Sequence, residues 1–369
     1  MPHSSSGKFF ALEASTSGSF EVSPLKVSDF QDASRLLTSV FGGTRDHTMG
    51  CFAHWWELNP AWSSTIPRGW FIRSSERAPI AFTANIPFNY IIGGQPGLCC
   101  ATGSLAVHSD WRGQGLSKLV GRAFVNQCKP DLLIGTDSTD VAYKLWLSLG
   151  MRPLERGWPE SSYRIVGDLT AWDGPHLPPS NSGTMSGAAR LRLAKSLQSE
   201  RLRRKSLLVY QIEKFEERDV HDVDKCRASS ASTYAVRDIQ TLNWLYFGSK
   251  FVRHSRAVFV ARSGKQLVGY LAMKRSSNSF YLLECRCLNA DAEIAKELLL
   301  VARGFAERQR AFYITVWQYT QMIEQAIPLT LSIPSRHPRM MTYCYIPKVT
   351  AFEPSSWETT PGDGDVSVN

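Results

Sequence analysis

The 369-residue sequence predicts an α+β fold, a mixed and mostly antiparallel sheet flanked by helices, built twice in tandem. Three observations carry this expectation. Strand-like runs and segments of helical apolar spacing follow a definite order in the first half, the second half repeats that order, and the Pro/Gly/Ser cluster "DLTAWDGPHLPPSNSGTMSGAA" (168–189) parts the two. The length exceeds one typical domain, and 43% hydrophobic with 20% charged residues is ordinary globular composition. The expected organisation is a polar tail over 1–19, a first unit over 20–167, a linker over 168–206, a second unit over 207–348 and a polar tail over 349–369.

The first unit opens with the short alternating run "FEVSPLKVSDF", a strand. In "DFQDASRLLTSVF", Ala33, Leu36, Leu37 and Val40 recur at helical spacing behind Asp29, a capping candidate. "HTMGCFAHWWELNP" reads as a second short helix stopped near Pro60. "GWFIRSS", "PIAFTANIPFNYIIGG" and "LCCATGSLAV" are three strands, followed by a helix from near Gly115, the buried strand "DLLIGTD" and the helix "DVAYKLWLSLG". The order is β-α-α-β-β-β-α-β-α. In the second unit, "LLVYQIEKFEERDVHDVDKCRAS", "TLNWLYFGSKF", "RAVFVARSGKQLVGYLAMKR", "SFYLLECRCL", "DAEIAKELLLVARGFAERQ" and "AFYITVW" repeat that sequence of elements.

The formal net charge of +9 suits an anionic ligand, a nucleic acid or a membrane surface alike and selects none of them. Between the units, "RLRLAKSLQSERLRRKS" (190–206) carries seven basic residues and one acid, a pattern for a nucleic-acid or acidic-membrane contact or for a solvated helix face. It has no aromatic residue for base stacking, so nucleic-acid binding is the lesser expectation. Eight cysteines without a secretory h-region read as reduced thiols of a cytoplasmic protein. The longest uncharged run, 78–109, is broken by Pro79, Pro87 and Pro96, so no membrane span is expected.

The stretch "AVHSDWRGQGLSKLVGRAF" (106–124) joins a strand ending near Val107 to a helix beginning near Gly115. Gly113 and Gly115 permit positive φ and close approach, and the first amides of a helix attract anions, with Arg112 and Lys118 adding charge. The turn therefore fits either a tight strand-to-helix connection or a phosphate cradle.

In that setting Arg112, Gly113, Gln114, Gly115, Leu116 and Ser117 resemble the [RQ]-x-x-G-x-[GA] signature of the GNAT superfamily of N-acetyltransferases, with Ser117 standing where Gly or Ala is usual. The resemblance implies the acyl-CoA N-acyltransferase fold, here as two tandem GNAT-like domains, with acetyl-CoA as co-substrate. It implies that Arg112 to Ser117 cradle the pyrophosphate and that Leu105, Ala106 and Val107 meet the pantetheine arm. Downstream, "TDVAYKLWLSLGM" is similar to the family's N-x-x-A-x-x-L-Y-x-x-x-G-F: Ala142, Leu145 and Gly150 match, whereas Thr139, Trp146 and Met151 depart. The Tyr of that motif is the family's frequent general acid, and Trp146 cannot give up a proton in its place. Tyr143, one turn earlier, is the catalytic candidate, alongside a structural reading in which its ring packs on the sheet. The implied activity is transfer of an acetyl group to a primary amine of a small molecule, an amino sugar among the candidates, by direct attack in a ternary complex. The alternatives are a CoA-binding scaffold or regulator and an interaction protein acting through the basic linker.

No base is assigned: Asp46, His47, His54 and Glu57 are expected at the surface or rim, and His108 sits by the turn without a role. His47, Cys51 and His54, at i, i+4 and i+7, could share a helical face, but Gly50 interrupts and a fourth ligand is missing, so no metal is expected. Cys285 and Cys287 read as buried small apolar residues, and Trp55, Trp56, Trp62 and Trp70 as core. In the second unit "NADAEIAKE" sets Asp291 and Glu293 where glycines would be needed, so that unit is expected to bind no CoA.

Overall fold

The computed structural model describes residues 20–136, 139–154, 162–166, 207–226, 231–317, 320–327, 332–335, 344–350, 352 and 357–358; the basic run 190–206 lies outside them. In chain order the first part contains β1 (Val22–Pro24), α1 (Phe30–Phe41), α2 (Arg45–Phe52), β2 (Gly69–Arg73), β3 (Pro79–Ile92), β4 (Gln95–Val107), α3 (Leu116–Gln127), β5 (Leu132–Gly135), α4 (Asp140–Ser148), β6 (Arg152–Pro153) and β7 (Ser162–Val166). The second contains β8 (Leu208–Ile212), α5 (Val220–Lys225), β9 (Tyr234–Ala235), α6 (Ile239–Phe247), α7 (Lys250–Ser255), β10 (Arg256–Ser263), β11 (Gln266–Ser276), β12 (Ser279–Cys287), α8 (Ala292–Arg308), β13 (Tyr313–Trp317), α9 (Gln321–Ala326), β14 (Ser332–Ser335) and β15 (Cys344–Pro347).

Local chemistry sets the helices. On α1 the apolar stripe buries Ala33, Leu36 and Leu37. Asp29 stands at its N-cap position but turns its carboxylate to the Lys26 N–H and the Arg73 guanidinium, each at 2.9 Å, instead of to the helix's own amides. Thr44 caps α2, its hydroxyl accepting from the His47 N–H at 3.2 Å.

The strands form two mixed sheets of the expected class, with orders β1-β2-β3-β4-β5-β15-β6 and β14-β7-β13-β12-β11-β10-β8, and β9 adds to β3. The β4/β5 and β12/β13 pairs are parallel, and the other pairings are antiparallel. The sheets do not divide the chain at the linker. β7, ahead of it, lies between β13 and β14, while β15, far beyond it, lies between β5 and β6. Each sheet thus takes a strand from the other part of the chain at the same place in its order, and the first sheet takes the short β9 as well. α3 and α4 cover the outer face of the first sheet and α8 and α9 that of the second, while one buried cluster between the sheets joins Trp55, Trp56 and Tyr345 to Trp244, Tyr246 and Tyr270.

His54 sits in that shared core. A π turn over Ala53–Glu57 follows α2 and points the ring at α6, where it stacks on Trp244 with centroids 5.2 Å apart. The Trp244 indole N–H donates to the His54 carbonyl at 2.6 Å, and Gly248 approaches so closely that a Cβ there would stand 3.2 Å from Nδ1. Neither ring nitrogen has a hydrogen-bond partner among the described residues. Burial, with help from the charge of Arg256, lowers the His54 pKa from 6.5 to about 3.

Two predictions follow from this architecture. Between pH 6.5 and about 3 the unfolded chain binds a proton at His54 that the folded chain refuses, so stability falls with pH, by about 1.4 kcal/mol per pH unit from this group. His54→Phe keeps the stack without the titration, and its denaturation midpoint should drop less than that of the parent between pH 6.5 and 5; equal slopes would remove His54 as the cause. Segments 20–206 and 207–369, produced as separate chains, should fold only when combined. A monomeric 20–206 fragment with its own cooperative unfolding transition would contradict the strand exchange.

Candidate cofactor site

β4 is 13 residues long, but β5 pairs with it only from Cys99↔Leu132 to Thr102↔Gly135. Past Thr102, β4 continues to Val107 on β3 alone, and the edge that faced β5 carries no strand among the described residues. A bulge marks the departure: Ser104 has φ 47°, and the register with β3 slips before resuming at Phe82↔Ala106. Leu105 and Val107 pack against the Leu116 and Val120 cluster, while Ala106 is buried in the core between the sheets. Side chains therefore anchor this strand end from both faces, and its open edge offers backbone N–H and C=O groups to an extended ligand.

The turn begins at His108, whose Nδ1 accepts from the Asp110 N–H at 3.4 Å and so closes a 3-10 turn over Ser109–Trp111. This fixes His108 as a capping residue. Gly113 (φ 82°) and Gly115 (φ 77°) both use the left-handed region, and a Cβ at either would meet nothing within 4 Å. Gly115 is the N-cap of α3, and no side chain caps that helix. Arg112, Gly113, Gln114 and Gly115 are exposed, with the Arg112 Nε 3.5 Å from the Val107 carbonyl. The positive end of the helix dipole, with the first amides of α3, therefore lies at an exposed turn. A tight turn alone needs the glycine φ values; the uncapped helix start is a feature that a tight turn does not need.

The second sheet shows the same landmarks with different chemistry. Cys287 begins a 3-10 turn as His108 does; on the outer face Cys285 and Cys287 lie beneath α8 as Leu105 and Val107 lie beneath α3, while Glu284 and Arg286, like Ala106, face the core between the sheets. α8 starts directly after Asp291, which takes the N-cap place of Gly115 and accepts from the Glu293 and Ile294 N–H groups at 2.8 and 3.3 Å. Those amides already hold a carboxylate, and its charge opposes any second anion.

Tyr143 lies half-buried on α4, whose N-cap Thr139 accepts from the Ala142 N–H at 3.3 Å. Burial, then the neighbouring Cys344 thiol, pushes its phenol pKa up, so it keeps its proton at neutral pH. Cys344 arrives on β15 opposite Gly135, where a Cβ would stand 2.9 Å from the Cys344 sulfur. Trp146, 1% exposed, packs 5.8 Å from Phe124 and against Gly121, where a Cβ would stand 3.2 Å from its ring. It is a core residue of the α3–α4 contact. The Ser104 bulge and the Cys344 neighbour carry no local sequence signal, because each depends on a strand partner distant in the chain.

The remaining candidates separate. The His47 Nε2 is 3.7 Å from the Cys51 sulfur, but His54 points to Trp244, and no group of three or more His, Cys, Asp or Glu suited to a metal ion occurs among the described residues. Glu57 pairs with Arg68 at 3.0 Å, Arg68 lies 4.0 Å over the Trp62 ring, and Asp46 is exposed. Trp55, Trp56 and Trp70 are fully buried, and Cys285 and Cys287 lie in the core beneath α8. The eight cysteines form no disulfide. Among the described residues no helix is long and apolar enough to cross a membrane.

No protein-family profile and no curated protein matches the sequence. Solved structures do match the fold. A putative acetyltransferase from Pyrococcus horikoshii is 12% identical over 95% of this chain and 97% of its own, with a TM-score of 0.53. Saccharomyces cerevisiae N-myristoyltransferase with bound myristoyl-CoA is 14% identical over 99% of this chain and 87% of its own, with a TM-score of 0.58. A GCN5-related N-acetyltransferase from Kribbella flavida is 14% identical over 88% of this chain and 70% of its own, with a TM-score of 0.52. The chain shares its fold with these acetyltransferases and with N-myristoyltransferase.

Proposed function

We propose that this chain is an acyl-CoA-dependent N-acyltransferase, with acetyl-CoA as donor and a primary amine of a small molecule as acceptor. The observation that carries the reading is the uncapped start of α3 at the exposed Gly113 and Gly115 turn, directly after the open edge of β4. The amides of Gly113 to Ser117, with Arg112, hold the pyrophosphate. Pantetheine runs along Leu105, Ala106 and Val107, and the thioester enters the gap where β4 and β5 part. A neutral amine attacks the thioester carbonyl, the C–N bond forms as the C–S bond breaks, and the thiolate leaves with a proton supplied by Tyr143. The amine gives its own proton to solvent, since no side chain is assigned as its base. An amino sugar is the acceptor class we favour, and the reaction needs no metal.

Calorimetric titration with acetyl-CoA tests the cradle. Micromolar binding, about −8 kcal/mol, is expected for the parent and its loss for Gly115→Glu; a parent that binds nothing refutes the site. If acetyl-CoA binds but a broad amine panel releases no CoA thiol, the chain is a CoA-binding regulator instead. Tyr143→Phe should lower kcat by about 10²-fold, the low end for general acid catalysis, with an unchanged KM for acetyl-CoA. An unchanged kcat would leave Tyr143 a packing residue.

A further inference from the structure

We propose that the second part of the chain holds a separate ligand site, for a small amphipathic anion, in the cavity between α5, β9 and the end of β12. The cavity measures about 750 Å³, the size of a small-molecule pocket. Arg237 and Arg286 reach it while only 8% and 5% exposed. Both are held from behind by Glu284, which is 0% exposed: the Arg237 Nε donates to its two oxygens at 3.1 and 3.2 Å, and the Arg286 Nε to one of them. The Tyr246 hydroxyl donates to the same carboxylate at 2.6 Å. Glu358 stands 3.2 Å from Arg286. Neither Glu284 nor Glu358 lines the cavity, so the carboxylates that fix the two guanidiniums lie behind them.

The walls supply the apolar half of the chemistry. Ile91 of β3, Val223 of α5 and Val236 line the cavity, and Lys225 and His221 stand at its mouth. Two acids, Asp224 and Asp238, also border it; Asp238 spends one oxygen on the Thr241 N–H at 2.7 Å, as the cap of α6. Among the described residues β12 runs past Tyr281 on β11 alone, as β4 runs past Thr102 on β3, and on its core side it adds Arg286, which shares Glu284 with Arg237. Guanidiniums whose geometry is already fixed bind a carboxylate or a phosphate with little ordering cost, and apolar walls select a ligand with a short hydrocarbon body.

The test uses the full chain and three probes of one chain length: hexanoate, hexyl phosphate and hexanol, titrated calorimetrically. One or both anions should bind saturably, at least tenfold more tightly than hexanol, and the stronger of the two identifies the headgroup. Lys225→Glu, at an exposed rim position, should weaken the anion at least tenfold without unfolding the chain, and Arg237→Lys should do the same if it folds. Gly115→Glu should leave this binding intact, which separates the site from the proposed CoA cradle. No saturable binding of either anion, equal binding of hexanol, an unchanged affinity in Lys225→Glu, or loss in Gly115→Glu would each overturn the proposal.

Discussion

β5 is four residues long and hydrogen-bonds along both edges, to β4 on one side and to β15 on the other. A strand buried in mid-sheet cannot leave either row of amides and carbonyls unpaired, so the fold must bring residues 344–347 back to residues 132–135. The same necessity places β7 between β13 and β14 in the other sheet. Two reciprocal returns fix the sheets on a common core, where α6 meets the residues following α2 through Trp244 and His54. The short length of β5 also decides where β4 has an open edge. Because β4 runs five residues past Thr102, the last paired position, an open edge exists inside a continuous sheet.

The two parts share topology and differ in charge. Four exposed residues, Arg112 to Gly115, lead into α3, whereas the single residue Asp291 leads into α8. One helix start is left for a visiting anion, and the other is closed by the chain's own carboxylate. The strand ends just before differ on their core side, where the first sheet has Ala106 and the second Glu284 and Arg286. Arg237, Arg286 and Tyr246 hold the Glu284 pKa down at about 2 despite burial that acts to raise it, so this carboxylate stays ionised in the core. A buried ionic cluster of this kind contributes little net stability, because desolvation offsets attraction. What it supplies is orientation, two guanidiniums held at fixed angles at a cavity floor.

Much of this was legible in the sequence because it is local. Period-2 and period-3.6 apolar patterns match the element order through α4, and again from β8 to β13 except for the unexpected two-residue β9 and the division of one expected segment into α6 and α7. The turn at Gly113 and Gly115 was legible because positive φ restricts residue choice. The partner of a strand is not local: nothing in "SYRIV" says that it pairs with Tyr313–Trp317, and nothing in "CYIP" that it pairs with Leu132–Gly135. The expected units, 20–167 and 207–348, therefore do not follow the sheets. The spacing of His47, Cys51 and His54 assumed a regular α-helix, and the π turn from Ala53 changes the direction of the third side chain. Burial of the Trp cluster was expected from residue type, but not that its core would be shared between both sheets.

Trp146 shows how a departure from a motif can be settled by packing. Its ring lies with Phe124, Leu133 and Cys344 on the outer face of the first sheet, and Gly121 of α3 leaves the space that it fills. Restoring a tyrosine there would not restore a general acid. The hydroxyl would lie in an apolar layer, at a cost of about 1–3 kcal/mol if left unbonded, and the lost indole volume would add a cavity. In the proposed reaction the proton for the departing thiolate comes from Tyr143 in the first turn of α4, half-buried and protonated at neutral pH. Trp146 thus packs α4 on α3, while Tyr143 stands at the end of α4 that follows β5, the strand whose last pair with β4 is Thr102↔Gly135.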